Sequence, residues 1–501
     1  MNQNNILIYV QGWFLHFGIA KALQSKIDNE LYAIIDFGDK ARKFFDEQKI
    51  VDYKKIWHYN DAVNDFQINP DIEYLKSIEK KYDINLWNIA YTDKSFNLYN
   101  EFHQFSTNEI LSILEQECRF FEKILEESQP KFFLTYHTQN HYQYLLYMMC
   151  KAKGIKVLML SPAKLAKKFF VSEDGVLLDD EAYENTKSTI KFENENEAKE
   201  YFKKFDTQSY IANARKISFE SNLWERYKYV LKYFVSDNSA ISKQYSYYGM
   251  TKSKVLSKKI ERYFKRKRRK SFIDKYFKTE LPNDSPFVYF PLHYEPERVL
   301  LVSAPYFSNQ LAIISNIAKS IPINYKLIVK ENPSQGTIGW RDTSYYKSII
   351  NLPNVELLHP SIKSHEILSK CSLVVTIAGT AGFEAAFYNK PTIILSEQVY
   401  SKLPFVIRLK ELEKLPQAIK EQLNNKVDFN NLAGFMNVLE NNSVDIVLDE
   451  YAAEFAYMFG FKGPTMDSEL SENKINVFLE KYDKLLNEVA QEHIRKMKLD
   501  D

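Results

Sequence analysis

Cysteine is scarce in this 501-residue chain: Cys118, Cys150 and Cys371 are its only three, and they stand far apart. That excludes a disulfide framework and a zinc site built on paired cysteines, and it suits a reducing cytoplasm. No apolar run approaches the ~20 residues a spanning helix needs. The first residues, Met1 to Phe14, carry no basic segment ahead of an apolar one, so no signal peptide is expected. Neither sign of charge dominates. There are 67 Lys and Arg against 65 Asp and Glu, a net charge of +2, which argues against a protein that coats nucleic acid with its whole surface. Glycine is also sparse, at 13 residues, and no internal repeat is visible.

What the chain does have is length and apolar content. At 501 residues it is about three times a typical domain, and 45% of it is hydrophobic, enough for more than one core. Ile6–Val10 reads as a short strand, Gln11-Gly12-Trp13 as a turn, and the stretch to Ser25 as a helix. Leu31–Ile35 follows as a second strand. This opening has a Rossmann-like shape but lacks G-x-G-x-x-G, so it is not read as a dinucleotide site. Glu109–Glu127 reads as a helix. Phe132–Thr135, a helix to Lys153 and Val157–Leu160 form a further β-α-β unit. His137 and His141 fall just past its first strand, where ligands bind in such sheets.

From Phe287 onward strands and helices alternate regularly. The strands are Val288–Phe290, Lys326–Lys330, Val355–Leu358, Leu373–Ile377 and Thr392–Leu395. The helices are Gln310–Ser320, Tyr345–Ile350 and Ser364–Ser369. This pattern predicts a parallel sheet covered on both faces. The most informative stretch is Leu373–Glu397, LVVTIAGTAGFEAAFYNKPTIILSE. A buried strand ends in the small residues Ala378, Gly379, Thr380, Ala381 and Gly382, and a helix is expected from about Phe383. Such a turn presents backbone N–H groups and the positive end of a helix dipole, which suits a phosphate. Thr376 and Thr380 would add hydroxyl donors.

Three stretches in order, P-L-x-Y-E-P-E-R (Pro291–Arg298), V-K-E-x-P (Val329–Pro333) and T-x-x-G-T-A-G-x-E-A-A (Thr376–Ala386), with Gln310 between the first two, resemble the bacterial capsule polysaccharide synthesis proteins. That family includes the Kdo transferases that build lipid-linked capsule anchors. The resemblance covers roughly Phe287 to Tyr400. It implies an α/β, GT-B-like fold of two Rossmann-like domains facing a cleft, the first holding the acceptor and the second the nucleotide sugar. The expected division is 1–181 for the acceptor domain, 182–286 for a helical basic insertion or linker, 287–465 for the nucleotide-sugar domain, and 466–501 for a C-terminal helix crossing back. One position departs from the family: Asn332 stands where it usually has His, and Asn neither titrates nor carries charge.

The donor side is assigned to Lys330, Asn332, Arg341, Thr376, Gly379, Thr380, Ala381, Gly382 and Glu384. Lys330 at a strand end would pair with a phosphate, and Arg341 would clamp a phosphate or a sugar carboxylate, with a surface loop arginine as the equal alternative. Glu384 would bind ribose hydroxyls or simply complement the helix dipole. Glu295 and Glu297 are the candidate base or nucleophile, evenly balanced against a salt bridge with Arg298. His16 is the candidate acceptor base, weighed against a satisfied core histidine. No D-x-D stands at a strand end and no third ligand accompanies His137 and His141, so no metal and no cofactor beyond the donor are expected.

From Thr251 to Glu280 there are 13 Lys and Arg against 3 Asp and Glu. Leu256, Ile260, Tyr263 and Phe264 lie at helical spacing within this cluster. An anionic membrane surface is the expected partner, with a solvated basic face as the equal alternative and no nucleic acid expected. The combined expectation is a metal-independent glycosyltransferase, cytoplasmic and peripheral on the inner face of the cell membrane. It would transfer a sugar to a lipid-linked or growing surface polysaccharide, with CMP-Kdo as the donor the resemblance suggests. A teichoic-acid-type polyol-phosphate transferase, a nucleotide-sugar epimerase and a non-catalytic capsule assembly or export subunit remain as alternatives.

Overall fold

The computed structural model describes residues 4–64, 69–96, 100–184, 188–205, 251–459 and 470–497. Two compact units emerge. The first comprises residues 1–175, 206–254 and 443–501, and the second 176–205 and 255–442.

The first unit is built on a seven-stranded sheet. Its strands are β1 (Ile6–Gln11), β2 (Leu31–Asp36), β3 (Tyr53–His58), β4 (Phe132–Tyr136), β5 (Lys156–Pro162), β6 (Lys168–Ser172) and, from far along the chain, β13 (Val444–Asp445). Their order is β13-β6-β5-β4-β1-β2-β3. The pairs from β3 through β5 are parallel, while β5–β6 and β6–β13 are antiparallel. Strand β1 shows why its sequence is apolar throughout. Ile6, Ile8 and Val10 enter the core on one face, Leu7 and Tyr9 the core on the other. A parallel strand covered on both sides has no polar side to alternate with.

The second unit holds six parallel strands: β7 (Phe287–Pro291), β8 (Lys326–Lys330), β9 (Val355–Leu358), β10 (Leu373–Thr376), β11 (Thr392–Ile394) and β12 (Val406–Arg408). The order is β12-β11-β10-β7-β8-β9. The chain lays down β7, β8 and β9 in one direction, then returns to place β10 on the other side of β7. The order therefore reverses between β7 and β10, the position where doubly wound sheets open a crevice at their carboxyl ends. Val288 and Phe290 face one core, Phe287 and Tyr289 the other. Both units are thus Rossmann-like.

Several boundaries differ from the sequence-based ones. The expected insertion 182–286 is not a separate body where it is described. Glu195–Lys203 is a helix of the second unit, in which Phe202 stacks on Phe387 with ring centroids 4.7 Å apart. The helix Lys252–Tyr276 is tied to the second core by Ile273 and, just beyond its end, Phe277. Residues 206–250 lie outside the described residues. The chain rejoins the first unit at Ser443, well before the expected boundary at 465, because β13 pairs with β6 and Tyr451, Phe455 and Phe459 pack into the first core. The C-terminal helix is two helices, Glu472–Lys481 and Asp483–Met497. Gly18 permits this docking. A Cβ there would lie 2.6 Å from a methyl carbon of Leu486. Among the described residues no helix is long and apolar enough to cross a membrane.

Candidate functional site

The carboxyl ends of β7, β8 and β10 bring the three sequence motifs together. Just past β7, His293 is buried, and it is pinned from several directions. Its backbone N–H donates to Gln310 Oε1 at 2.8 Å, and its carbonyl accepts from Gln310 Nε2 at 3.3 Å and from the Arg341 guanidinium. Its ring Nε2 lies 3.2 Å from Thr376 Oγ1 and accepts from the Ala378 N–H at 3.4 Å. Thr376 Oγ1 in turn accepts from the Gly379 N–H at 3.1 Å. The Thr376 proton is therefore directed at His293 Nε2, which leaves the ring proton on Nδ1, 3.8 Å from Glu297 Oε2. One chain of hydrogen bonds so ties the end of β7 to the turn after β10, across the point where the strand order reverses.

Gly379 and Gly382 are required for different reasons. A Cβ on Gly379 would stand 2.7 Å from Thr376 Oγ1 and 3.4 Å from His293 Cε1. At Gly382 it would meet the Tyr400 hydroxyl at 2.8 Å and methyls of Thr376 and Thr392 at 3.0 Å. Gly382 is thus a packing residue, and Gly379 is where the backbone comes close to His293. The small residues let the helix start earlier than expected. It spans Thr380–Glu384 with Gly379 as its N-cap and runs on as a 3-10 turn over Ala385–Tyr388. Thr380, Ala381 and Gly382 are therefore inside the helix, not ahead of it.

Lys330 ends β8, nearly fully buried at 4% exposure, with Nζ 3.3 Å from Ser364 Oγ. Burial pushes its ammonium down to about 8, against the opposing pull of Glu384 and Glu366. Burial raises the Glu384 carboxyl group, and a hydrogen bond from the Thr380 side chain and the charge of Lys330 act against that rise. Burial thus works against the charge on both Lys330 and Glu384, and each partly offsets this cost for the other.

Residues 195–404 match the family described as capsule polysaccharide biosynthesis protein. No curated protein matches the chain. Among solved structures the chain is similar to UDP-GlcNAc 2-epimerase of Methanocaldococcus jannaschii, solved in complex with UDP-GlcNAc and UDP, at 13% identity and TM-score 0.27, over 88% of this chain and 98% of that one. It is similar to KpsC of Thermosulfurimonas dismutans, a beta Kdo 2,7 transferase, at 12% identity and TM-score 0.31, over 76% and 98%. A further likeness is to the N-terminal domain of Candida albicans trehalose-6-phosphate phosphatase, at 11% identity and TM-score 0.31, over 91% and 96%.

Within the capsule-family segment the other expected residues divide clearly. Arg341 is neither a surface loop arginine nor a clamp open to a ligand. It is buried, with Nε 2.8 Å from Glu331 Oε2, another guanidinium nitrogen 2.5 Å from Glu295 Oε2, and a third on the His293 carbonyl. Tyr346 donates to the same Glu331 oxygen at 2.7 Å. Glu295 also accepts from Gln310, and its backbone exchanges two hydrogen bonds with the Gln335 amide, at 3.0 and 3.1 Å. Of the two carboxylates expected to act on substrate, Glu295 thus holds the loop in shape, through Arg341 and not Arg298. Glu297 is the more exposed of the two and stands beside His293. Asn332 closes a turn, its Oδ1 accepting from the Ser334 N–H at 2.9 Å. The hydroxyls of Thr376 and Thr380 are both engaged within the capsule-family segment, so the expected donors to phosphate reduce to backbone N–H groups and Lys330.

His293 and Glu331 were not singled out in the sequence. Each is the unremarked member of a motif that was, His293 as the variable position of P-L-x-Y and Glu331 as the third residue of V-K-E-x-P. Their value became visible only when Gln310, Arg341 and Thr376 came to meet them.

In the first unit His16 lies in the core, not at a surface. It is buried in the helix Leu15–Gln24, and burial first, then the nearby His493, lowers its imidazole to about 3. His141 is also buried, with Nδ1 2.6 Å from Asp93 Oδ2 and Nε2 3.0 Å from Glu117. Burial alone would lower its pKa, but the two carboxylates prevail and raise it to about 10. The raised value means that stability from this ion triad is complete below about pH 6.5 and declines as pH rises toward 10. Thermal unfolding of the full chain from pH 6 to 9.5 should show the first unit losing stability, and His141→Gln should flatten that slope. An unchanged slope in the variant would assign the loss elsewhere.

Proposed function

We propose that the chain is a glycosyltransferase of surface polysaccharide synthesis that takes its nucleotide-sugar donor at the carboxyl edge of the second sheet. The observation that carries this reading is the convergence of His293, Lys330, Thr376 and Gly379 where the strand order reverses between β7 and β10. Transfer requires that the departing phosphate be neutralised and that the acceptor hydroxyl lose its proton. Lys330 and the backbone N–H groups at the start of the helix Thr380–Glu384 would receive the phosphate. Glu384 would accept from the ribose hydroxyls. Glu297, half-buried beside His293, would take the proton, and the His293 Nδ1–H would stabilise its charge. The match of residues 195–404 to the capsule family supports the choice of polysaccharide synthesis over other nucleotide-sugar chemistry, and a Kdo donor remains the resemblance's suggestion.

A panel of CMP, CDP, UDP, UMP and GDP tested by thermal shift and calorimetry checks this. A bound nucleotide at ~100 times its dissociation constant adds about 2.7 kcal/mol of stability. Gly379→Val should lose that stabilisation, because its side chain would push into Thr376 and His293. CMP selectivity would fit a Kdo-type donor, and UDP or CDP selectivity would move the donor without moving the site. Failure of every nucleotide and every nucleotide sugar to bind would sink the reading.

A further inference from the structure

The helix Lys252–Tyr276 is 25 residues long and carries 12 Lys and Arg against two acidic residues, Glu261 and Asp274. Its two sides are used very differently. Toward its C-terminal end it is fastened to the second unit. Ile273 is buried, and so is Phe277 just beyond the helix. Arg269 donates to the carbonyls of Gly339 (3.3 Å) and Trp340 (2.9 Å) and pairs with Asp342. Asp274 stands 3.2 Å from His359 Nε2.

The other side carries Leu256, Ile260, Tyr263 and Phe264, which are 40%, 52%, 63% and 65% exposed. At 3.6 residues per turn these four fall within an arc of about 100°. On the same wheel Val255 and Ile273, which are buried, lie about a third of a turn from its centre. Lys267 sits in the apolar arc itself. Lys259 and Lys270 flank it on one side, Arg268 and Lys275 on the other. Lys259, Arg266, Lys267 and Arg268 have no ion-pair partner among the described residues, so their charge is not spent within the fold.

An apolar arc bordered on both sides by lysine and arginine is the layout of a helix that lies in the plane of a bilayer, its rings and aliphatic groups among the acyl chains and its cations at the headgroups. From this we infer that the exposed face of Lys252–Tyr276 docks the protein on an anionic lipid surface. The charge alone would also suit nucleic acid. The apolar residues decide between them: Tyr263 and Phe264 offer rings on which a base could stack, but Leu256 and Ile260 do not, and all four are held outward as one continuous apolar arc. The inference does not depend on the donor reading, because the docking face and the strand ends that carry the donor site are separate structures.

The test is flotation of the full-length protein with vesicles of phosphatidylcholine alone and with about 30 mol % phosphatidylglycerol added. At least about tenfold tighter binding to the anionic vesicles is expected, weakening with salt. Ile260→Glu/Phe264→Glu and Lys267→Glu/Arg268→Glu should each abolish it, with the nucleotide thermal shift and the unfolding temperature unchanged. Three results would overturn it. One is equal binding to both vesicles. Another is retention of binding by Ile260→Glu/Phe264→Glu together with competition by single-stranded RNA, which would make the helix a nucleic-acid face. The third is a wild-type dimer that Ile260→Glu/Phe264→Glu dissociates, which would make the apolar arc a contact between copies.

Discussion

Arg341→Met should lower the stability of the second unit by ~3–5 kcal/mol and its unfolding temperature by about 10 °C. The cost comes less from losing an attraction than from what is left behind. Glu331 is wholly buried, and Arg341 supplies the positive charge that makes its ionisation tolerable. With the guanidinium gone, Glu331 must stay charged without a counterion or take up a proton, and the carbonyl of His293 loses a donor. The double variant Arg341→Met/Glu331→Gln should recover part of the loss, since it removes the stranded charge as well as its partner. In that variant Tyr346 can still donate to the amide oxygen that takes the place of the carboxylate. A single variant that unfolds with the wild type would mean that the pair contributes nothing and that the loop 292–298 is held by Gln310 and Gln335 alone.

Lys330→Met should reduce nucleotide affinity by ~10–100-fold, the value of one hydrogen bond to a charged group, and transfer by ~100–1000-fold. Its pH dependence is the sharper test. Burial pushes the Lys330 ammonium down to about 8, so in the empty protein its charge is present below that pH and lost above it. Affinity should therefore be flat up to about pH 8 and fall beyond, and binding above pH 8 should take up a proton. Lys330→Arg, whose guanidinium does not titrate in this range, should show no such fall. Lys330→Met should unfold no earlier than the wild type, because a buried ammonium costs stability. Calorimetry in buffers of different ionisation enthalpy reads the proton directly. An unchanged affinity and slope in the methionine variant would remove Lys330 from the donor site.

The second unit was largely legible in the sequence because its strands are buried on both faces. Lys326–Lys330 and Val355–Leu358 have the bounds read from the sequence, and Leu373–Ile377 differs by one residue. Strand order was not legible. Nothing local to β10 says that it returns beside β7, and that return is what makes the site. The same limit explains Arg341 and Glu295, whose pairing spans 46 positions and cannot be seen from either motif. His141 shows it again. Its partner Asp93 lies in a stretch of the chain with no clear periodicity. The basic helix was half legible. Its outward residues, Leu256, Ile260, Tyr263 and Phe264, were recognised as one face, and that face is exposed. The anchoring falls to Ile273 and Phe277, and it was not legible because the core they enter is assembled from strands far along the chain.

The first sheet is finished by residues that come last. About 270 residues separate β6 from β13, the strand that pairs with it, and the helices Glu472–Lys481 and Asp483–Met497 follow later still. At ~5–20 residues per second, a ribosome needs about 15–55 s to pass from one to the other. During that interval the nascent first unit has its central strands but not the side chains of Phe478, Leu486 and Val489 that cover them. The second unit, whose segments 176–205 and 255–442 both precede Ser443, can close while its neighbour waits. Ribosome stalling after Asn442 would therefore release a product with a closed second unit and a first sheet whose one face is only partly covered, a substrate for chaperones.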